Sequence, residues 1–184
     1  MAALMWPARV QSLTLIGSEP LGWDGPPLPQ ISDDFLAHFG ALGGLDWSDR
    51  EEVIAFLLKG ERLCANNASA FNEKNVRTQI ERVLSRTHSP ASMFNHGALT
   101  TREDWTGKFR DIACAALIIH GERDPILPVA NGRALAAGIE RAEFLLLRGV
   151  FLERPPPLFH VIVSAIAVLA ARSSNQAAHG EPPS

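Results

Sequence analysis

Residues 111–128, DIACAALIIHGERDPILP, hold a continuous apolar run, a glycine and a carboxylate in close succession. The run Ala115 to His120 shows no alternation of apolar and polar residues and stops at Gly121. A strand that is apolar on both faces fits a parallel sheet covered by helices on either side. The loop beyond the C-terminal end of such a strand opens onto the crevice where ligands bind in open α/β sheets. Asp124, three residues after Gly121, falls in that loop. A carboxylate held there can orient a histidine and stabilise its charged form. The same residue also has a plain structural reading, because Glu122-Arg123-Asp124-Pro125 is good turn chemistry.

The flanking sequence extends the pattern. Asn131 to Ile139 reads as a helix, Glu143 to Val150 as a second buried strand, Pro155 to Pro157 as a loop and Leu158 to Arg172 as a final apolar helix. Upstream, Met1 to Leu4 favour a helix that Pro7 stops, and Val10 to Ser18 form an apolar, β-branched strand. Strands alternating with helices predict an α/β fold with right-handed crossovers. Between the first strand and the second lie a loop rich in Pro and Gly (19–30) and a helical stretch to residue 110. There Ser32 is placed to cap a helix carrying Phe35, Leu36 and Phe39, and Ser48-x-x-Glu51 fits a capping box. The helix that follows aligns Val53, Ile54, Leu57 and Leu58, and a third, from about Glu73 to Arg86, aligns Val76, Ile80, Val83 and Leu84. The expected division is a sheet-bearing core from 1–18 and 111–172, an inserted loop and helical region over 19–110, and a disordered polar tail over 173–184.

Composition narrows the functional classes. The chain has 184 residues, 46% apolar and 20% charged, with a net charge of −3. This suits one globular domain and not a disordered chain. Mild acidity without a basic stripe argues against nucleic acid as a partner. No uninterrupted apolar stretch reaches about 18 residues, so no membrane-spanning helix is expected. The first residues lack the pattern of a secretory signal. Two cysteines, Cys64 and Cys114, support neither a disulfide framework nor a metal site and read as buried, inert thiols in a reducing, cytoplasmic setting.

The stretch 111–128 resembles the seventh-strand region of the α/β-hydrolases, where a strand ends in Gly and an Asp follows in the next loop. Pro7-Ala8-Arg9-Val10 followed by SLTLIGS resembles the approach and body of the sixth strand, residues 19–110 the inserted helical cap, and Arg141 to Val150 the last strand. The resemblance covers about residues 1–170. The spacing of Phe71, Arg82, Pro90, His96 and Trp105 is similar to the cap of the esterases around aclacinomycin methylesterase. The resemblance implies a partial parallel sheet of an α/β-hydrolase with a cap insertion. It implies carboxylic ester hydrolysis by a serine, a histidine and Asp124, on a small apolar or aromatic ester, with no metal or organic cofactor. A methyl ester on a polycyclic polyketide is the specific form.

The sequence also departs from that pattern. No G-x-S-x-G turn occurs, and the residue aligned with the family histidine is Leu152, which cannot accept a proton. Glu153, one residue on, is expected to point elsewhere. The expectation is therefore a truncated or diverged hydrolase, with a non-catalytic remnant or binding partner as the alternative. Its nucleophile strand would lie in a segment outside these residues. The strand over 11–17 would then have one bare edge, inviting an oligomer or a complementing chain. His160 and Ser18 read as structural, and His120 as a structural residue at the end of its strand or, alternatively, as one lining the crevice. Trp23, Phe94 and His96 are the substrate-binding candidates, each with a packing or surface alternative, and Trp47 reads as a packing anchor.

Overall fold

The computed structural model of the chain describes residues 1–65, 71–98, 103–150 and 156–178. Leu152 and Glu153 lie outside the described residues. The elements run α1 (Ala2–Met5), β1 (Ser12–Ile16), α2 (Asp33–Gly40), α3 (Arg50–Leu63), α4 (Glu73–Leu84), β2 (Ala115–Gly121), α5 (Ala130–Gly138), β3 (Ala142–Leu147) and α6 (Pro156–Ala178). Short 3-10 turns occupy Pro7–Arg9, Ala41–Gly44, Pro90–Ala98 and Lys108–Asp111. Two compact units result: one holds the chain up to Gln30 and from Asp104 onward, the other Ile31–Glu103.

The first unit is a three-stranded, wholly parallel sheet in the order β1-β2-β3. Leu13 pairs with Ala116 and Leu15 with Ile118, which in turn faces Phe144. Those residues line one face of the sheet and pack against Ala3, Phe109, Ile112, Leu135 and Ile139. Leu117, Ile119 and Leu147 line the other face and pack against Ile162 and Leu169 of α6. The central strand β2 is covered on both sides, which is why its sequence is apolar without alternation. Ile118 and Ile119 are wholly buried, and each such side chain contributes about 1.5–3 kcal/mol of transfer free energy.

Two segments of this unit are tied beside the sheet. Gly107 N–H donates to Gly22 O at 2.8 Å, Arg110 pairs with Asp24 at 2.7 Å, and the Trp23 ring lies 6.0 Å from that of Phe109. Gly22 has φ +67°, and a Cβ there would stand 2.4 Å from Trp105 O, so only glycine permits this approach.

The second unit packs α3 against α4 through Val53, Ile54, Ile80 and Leu84. Ser32 caps α2 as expected, its Oγ accepting from Phe35 N–H at 3.4 Å. The expected capping box at Ser48 does not form. Asp49 is the N-cap of α3, accepting from Glu51 and Glu52 N–H at 2.9 and 3.1 Å, while Ser48 donates to Asp46. A charged carboxylate nearer the exposed N–H groups outcompetes a hydroxyl one residue earlier. Val83 and Leu36, counted on buried stripes, are 47% and 53% exposed.

Three further expectations are corrected. The disordered tail does not begin at 173, because α6 continues to Ala178. Ser173 is buried and its Oγ donates to Leu169 O at 3.0 Å, so this polar residue satisfies itself within the helix. A segment of membrane-spanning length exists after all. Leu158–Asn175 has a mean hydropathy of 1.4 over 18 residues, since scattered small polar residues dilute its hydropathy without abolishing it. In this unit one line of that helix packs on the sheet. Cys64 and Cys114 are half-buried, not fully buried.

Candidate functional site

β2 runs out at Gly121, and the chain turns through 122–129 before α5. Asp124 sits in this turn and is buried. Its Oδ1 accepts from the backbone N–H groups of Ile126 and Leu127, both at 2.9 Å. Pro125 has no N–H to offer, so the next two amides close on the carboxylate, an Asx turn written directly in Asp-Pro-Ile-Leu. Oδ2 is also buried and has no hydrogen-bond partner among the described residues. One oxygen is thus fixed by the backbone and the other remains open to a donor. A buried carboxylate oxygen without a donor is costly, on the order of 1–3 kcal/mol or more, which makes it a marker of a site.

His120, the last side chain before Gly121, lies beside it. Its Nε2 stands 2.7 Å from Leu127 O and 3.8 Å from Asp124 Oδ2. The first is a hydrogen bond and the second is beyond hydrogen-bond range, so Nε2–H donates to the carbonyl and not to the carboxylate. Nδ1 is buried without a partner. Gly132 of α5 lies against this ring: a Cβ there would be 2.4 Å from Nδ1. His120 therefore braces the turn that shapes Asp124. Of the two sequence expectations for His120, a structural role or a place lining the crevice, neither ties it to the acid. The four-residue spacing from 120 to 124, across a strand end, is the signal that could have supplied one.

The turn after β3 joins the same edge. Glu122 N–H donates to Leu147 O at 3.0 Å, Arg123 N–H to Val150 O at 2.9 Å, and Gly149 N–H to the Glu122 carboxylate at 2.7 Å. Gly149 adopts φ +63°, the left-handed conformation that lets its N–H face Glu122. The strands over 115–121 and 142–147 are thus parallel neighbours, and the Asp124 loop is bonded to the turn at 147–150.

The other candidates are placed as follows. Trp23 belongs to the sheet unit, where its indole N–H donates to Pro26 O at 2.7 Å and its ring meets Phe109 and the Arg110 guanidinium. Phe94 and His96 share the 3-10 segment Pro90–Ala98 of the helical unit. Phe94 is half-buried in a ring cluster with Phe39, Trp47 and Phe56 at 5.8, 6.4 and 6.2 Å. His96 is exposed, with Nδ1 3.0 Å from Met93 O. His160 is exposed on α6. Burial pushes the Cys114 thiol up, which keeps it protonated and disfavours a role as nucleophile. Among the described residues no group of His, Cys, Asp and Glu could hold a metal ion.

No protein-family model and no curated protein matches the sequence. Solved structures do match the fold. A meta-cleavage product hydrolase from Pseudomonas fluorescens IP01 superposes with a TM-score of 0.60 at 18% identity, over 95% of this chain and 59% of that one. An esterase from Rhodococcus sp. ECU1013 gives 0.60 at 18%, over 91% and 60%. A bromoperoxidase from Bacillus anthracis gives 0.56 at 16%, over 92% and 56%. The chain therefore spans less than two thirds of the length of these structures. Its fold is that of the α/β-hydrolases, as the parallel sheet and the loop after β2 also indicate.

Proposed function

We propose that this chain carries the acid-bearing part of an ester-hydrolysing α/β-hydrolase scaffold, with Asp124 as the carboxylate that orients a histidine. The observation that carries the reading is the state of that carboxylate: Oδ1 is fixed by two amides, and Oδ2 is buried and unclaimed at the C-terminal end of the central strand. A histidine N–H placed against Oδ2 would be held in one tautomer, and its imidazolium form would be stabilised as it takes a proton from a hydroxyl nucleophile. The 184 residues contain no G-x-S-x-G turn, so the attacking serine of such a reaction would come from outside them. The esterase among the structural neighbours agrees with a carboxylic ester substrate. A small apolar or aromatic ester is the substrate class this reading carries, with Phe94 and His96 as its candidates in the helical unit and Trp23 as its candidate in the sheet unit. A methyl ester of a polyketide is the most specific form of this reading. A cytoplasmic setting completes this reading.

A second reading, a non-catalytic hydrolase remnant, is favoured by one feature of the sequence, Leu152 at the aligned histidine position. Two measurements separate these readings. Hydrolysis of a 4-nitrophenyl ester by the purified chain, abolished by Asp124→Asn, makes the chain itself a catalyst; a background rate leaves it without turnover of its own. The role of Asp124 is tested independently by Leu152→His. NMR titration should show the introduced imidazole with a raised pKa, and adding Asp124→Asn should lower it again. Identical titration with and without the carboxylate refutes the assignment.

A further inference from the structure

The torsion of a carboxylate decides which of its oxygens a partner meets, and at Asp124 that torsion is set by a neighbouring side chain. Alternation along β2 puts His120 on the sheet face of Ile118, the face covered by Leu135 and Ile139. α5 passes directly over the imidazole. Gly132 leaves it room, since a Cβ there would stand 2.4 Å from Nδ1 and 2.8 Å from Cγ. The ring is 1% exposed, with Nε2 2.7 Å from Leu127 O. The N–H of the same Leu127 donates to Asp124 Oδ1 at 2.9 Å. Leu127 is therefore gripped at its N–H by the carboxylate and at its C=O by the imidazole. Asn131 anchors the next residue, its Nδ2 donating to Pro128 O at 3.0 Å. The same imidazole Nε2 stands 3.8 Å from Oδ2. An ionised carboxylate is a stronger acceptor than a carbonyl, so a ring free to swing would turn to Oδ2. Wedged under α5 it stays on Leu127 O, and Oδ2 keeps no donor among the described residues.

We propose that His120 is a positioning residue for the reaction: through Leu127 it fixes the plane of the Asp124 carboxylate, and with its own N–H committed to Leu127 O it leaves Oδ2 free for a histidine donor. The inference rests on the reading of Asp124 as the acid. It gives His120 no contact with substrate and no proton to transfer. What the position demands is an N–H donor of the right reach. Glutamine carries an amide nitrogen about as far from the backbone as imidazole Nε2, and the amide of asparagine falls one methylene short.

The experiment compares His120→Asn with His120→Gln in the full chain, two neutral amides that differ in reach. Amide hydrogen exchange followed by NMR should show Ile126 and Leu127 roughly tenfold faster in His120→Asn than in the wild type, as loss of one buried hydrogen bond requires. Ile118 and Ile119 of β2 should keep their rates, and His120→Gln should bring Ile126 and Leu127 back toward theirs. Should the smaller residue fail to fold, His120→Leu fills the space of the ring without a donor and gives the same comparison. Unchanged exchange in the donor-less variant, or no recovery with glutamine, overturns the proposal. A second readout separates it from the role of Asp124. In the Leu152→His background, His120→Asn should lower the pKa of the introduced imidazole nearly as far as Asp124→Asn does, and His120→Gln should leave it raised. A titration that responds to Asp124→Asn but not to His120→Asn keeps the acid and overturns the positioning role. One indifferent to Asp124→Asn refutes the acid, and with it any part of His120 in the reaction, whatever the exchange rates.

Discussion

Two buried histidines show how differently one residue type is used. In the helical unit His38 is 3% exposed, stacks on Phe56 at 4.1 Å between ring centroids, and has an unpartnered Nδ1. Burial, and secondarily Lys59, holds its pKa below the ordinary 6.5. As pH falls the unfolded chain takes the proton first, so stability is whole above about 6.5 and declines below it, by at most about 1.4 kcal/mol per pH unit. Replacement by phenylalanine keeps the stack and removes the proton site. Urea unfolding at pH 7 and pH 5 should therefore show a smaller loss for His38→Phe than for the wild type. In the sheet unit His120 instead braces the Asp124 turn through Leu127 O. Gly132→Ala would drive a Cβ to within 2.4 Å of that ring. Overpacking of this kind costs about 1–3 kcal/mol, and the denaturant midpoint should fall while α5, gaining helix propensity, would otherwise have raised it.

At the scale of elements, the caps decide where helices begin. Asp49 satisfies two amides of α3, whereas Ser48 serves a turn with Asp46. Asp49→Ala should cost about 1 kcal/mol, with loss of both the cap bonds and the favourable charge at the helix start. Ser48→Ala should cost clearly less, and thermal unfolding of the two variants measures the difference. The sequence shows a polar cluster at 46–52 but does not rank Asp46, Ser48 and Asp49, because each can accept the same amides. Geometry selects one. The strands were easier to read. The run 115–120 is apolar at every position because both of its faces are covered, and that leaves an unmistakable imprint.

On the scale of the whole molecule, two features follow from which surfaces the fold covers. The sheet is sealed on both faces in its middle strand, by Ala3, Phe109, Leu135 and Ile139 on one side and by α6 on the other. The long helix α6 illustrates the converse. Its composition alone fits a membrane span, yet its inner line packs on the sheet, and only the position of β2 and β1 beneath it reveals that.

The order of strands and helices, the parallel character of β2, the Asx turn at Asp124 and the likeness to α/β-hydrolases were all written in the chain. These depend on local periodicity and on turn chemistry between near neighbours. The open Oδ2 of Asp124, its closeness to His120 and the Arg123–Val150 link were decided only by the tertiary structure. Each depends on which distant segments come together, and a one-dimensional pattern does not encode the approach of Gly132 to an imidazole ring.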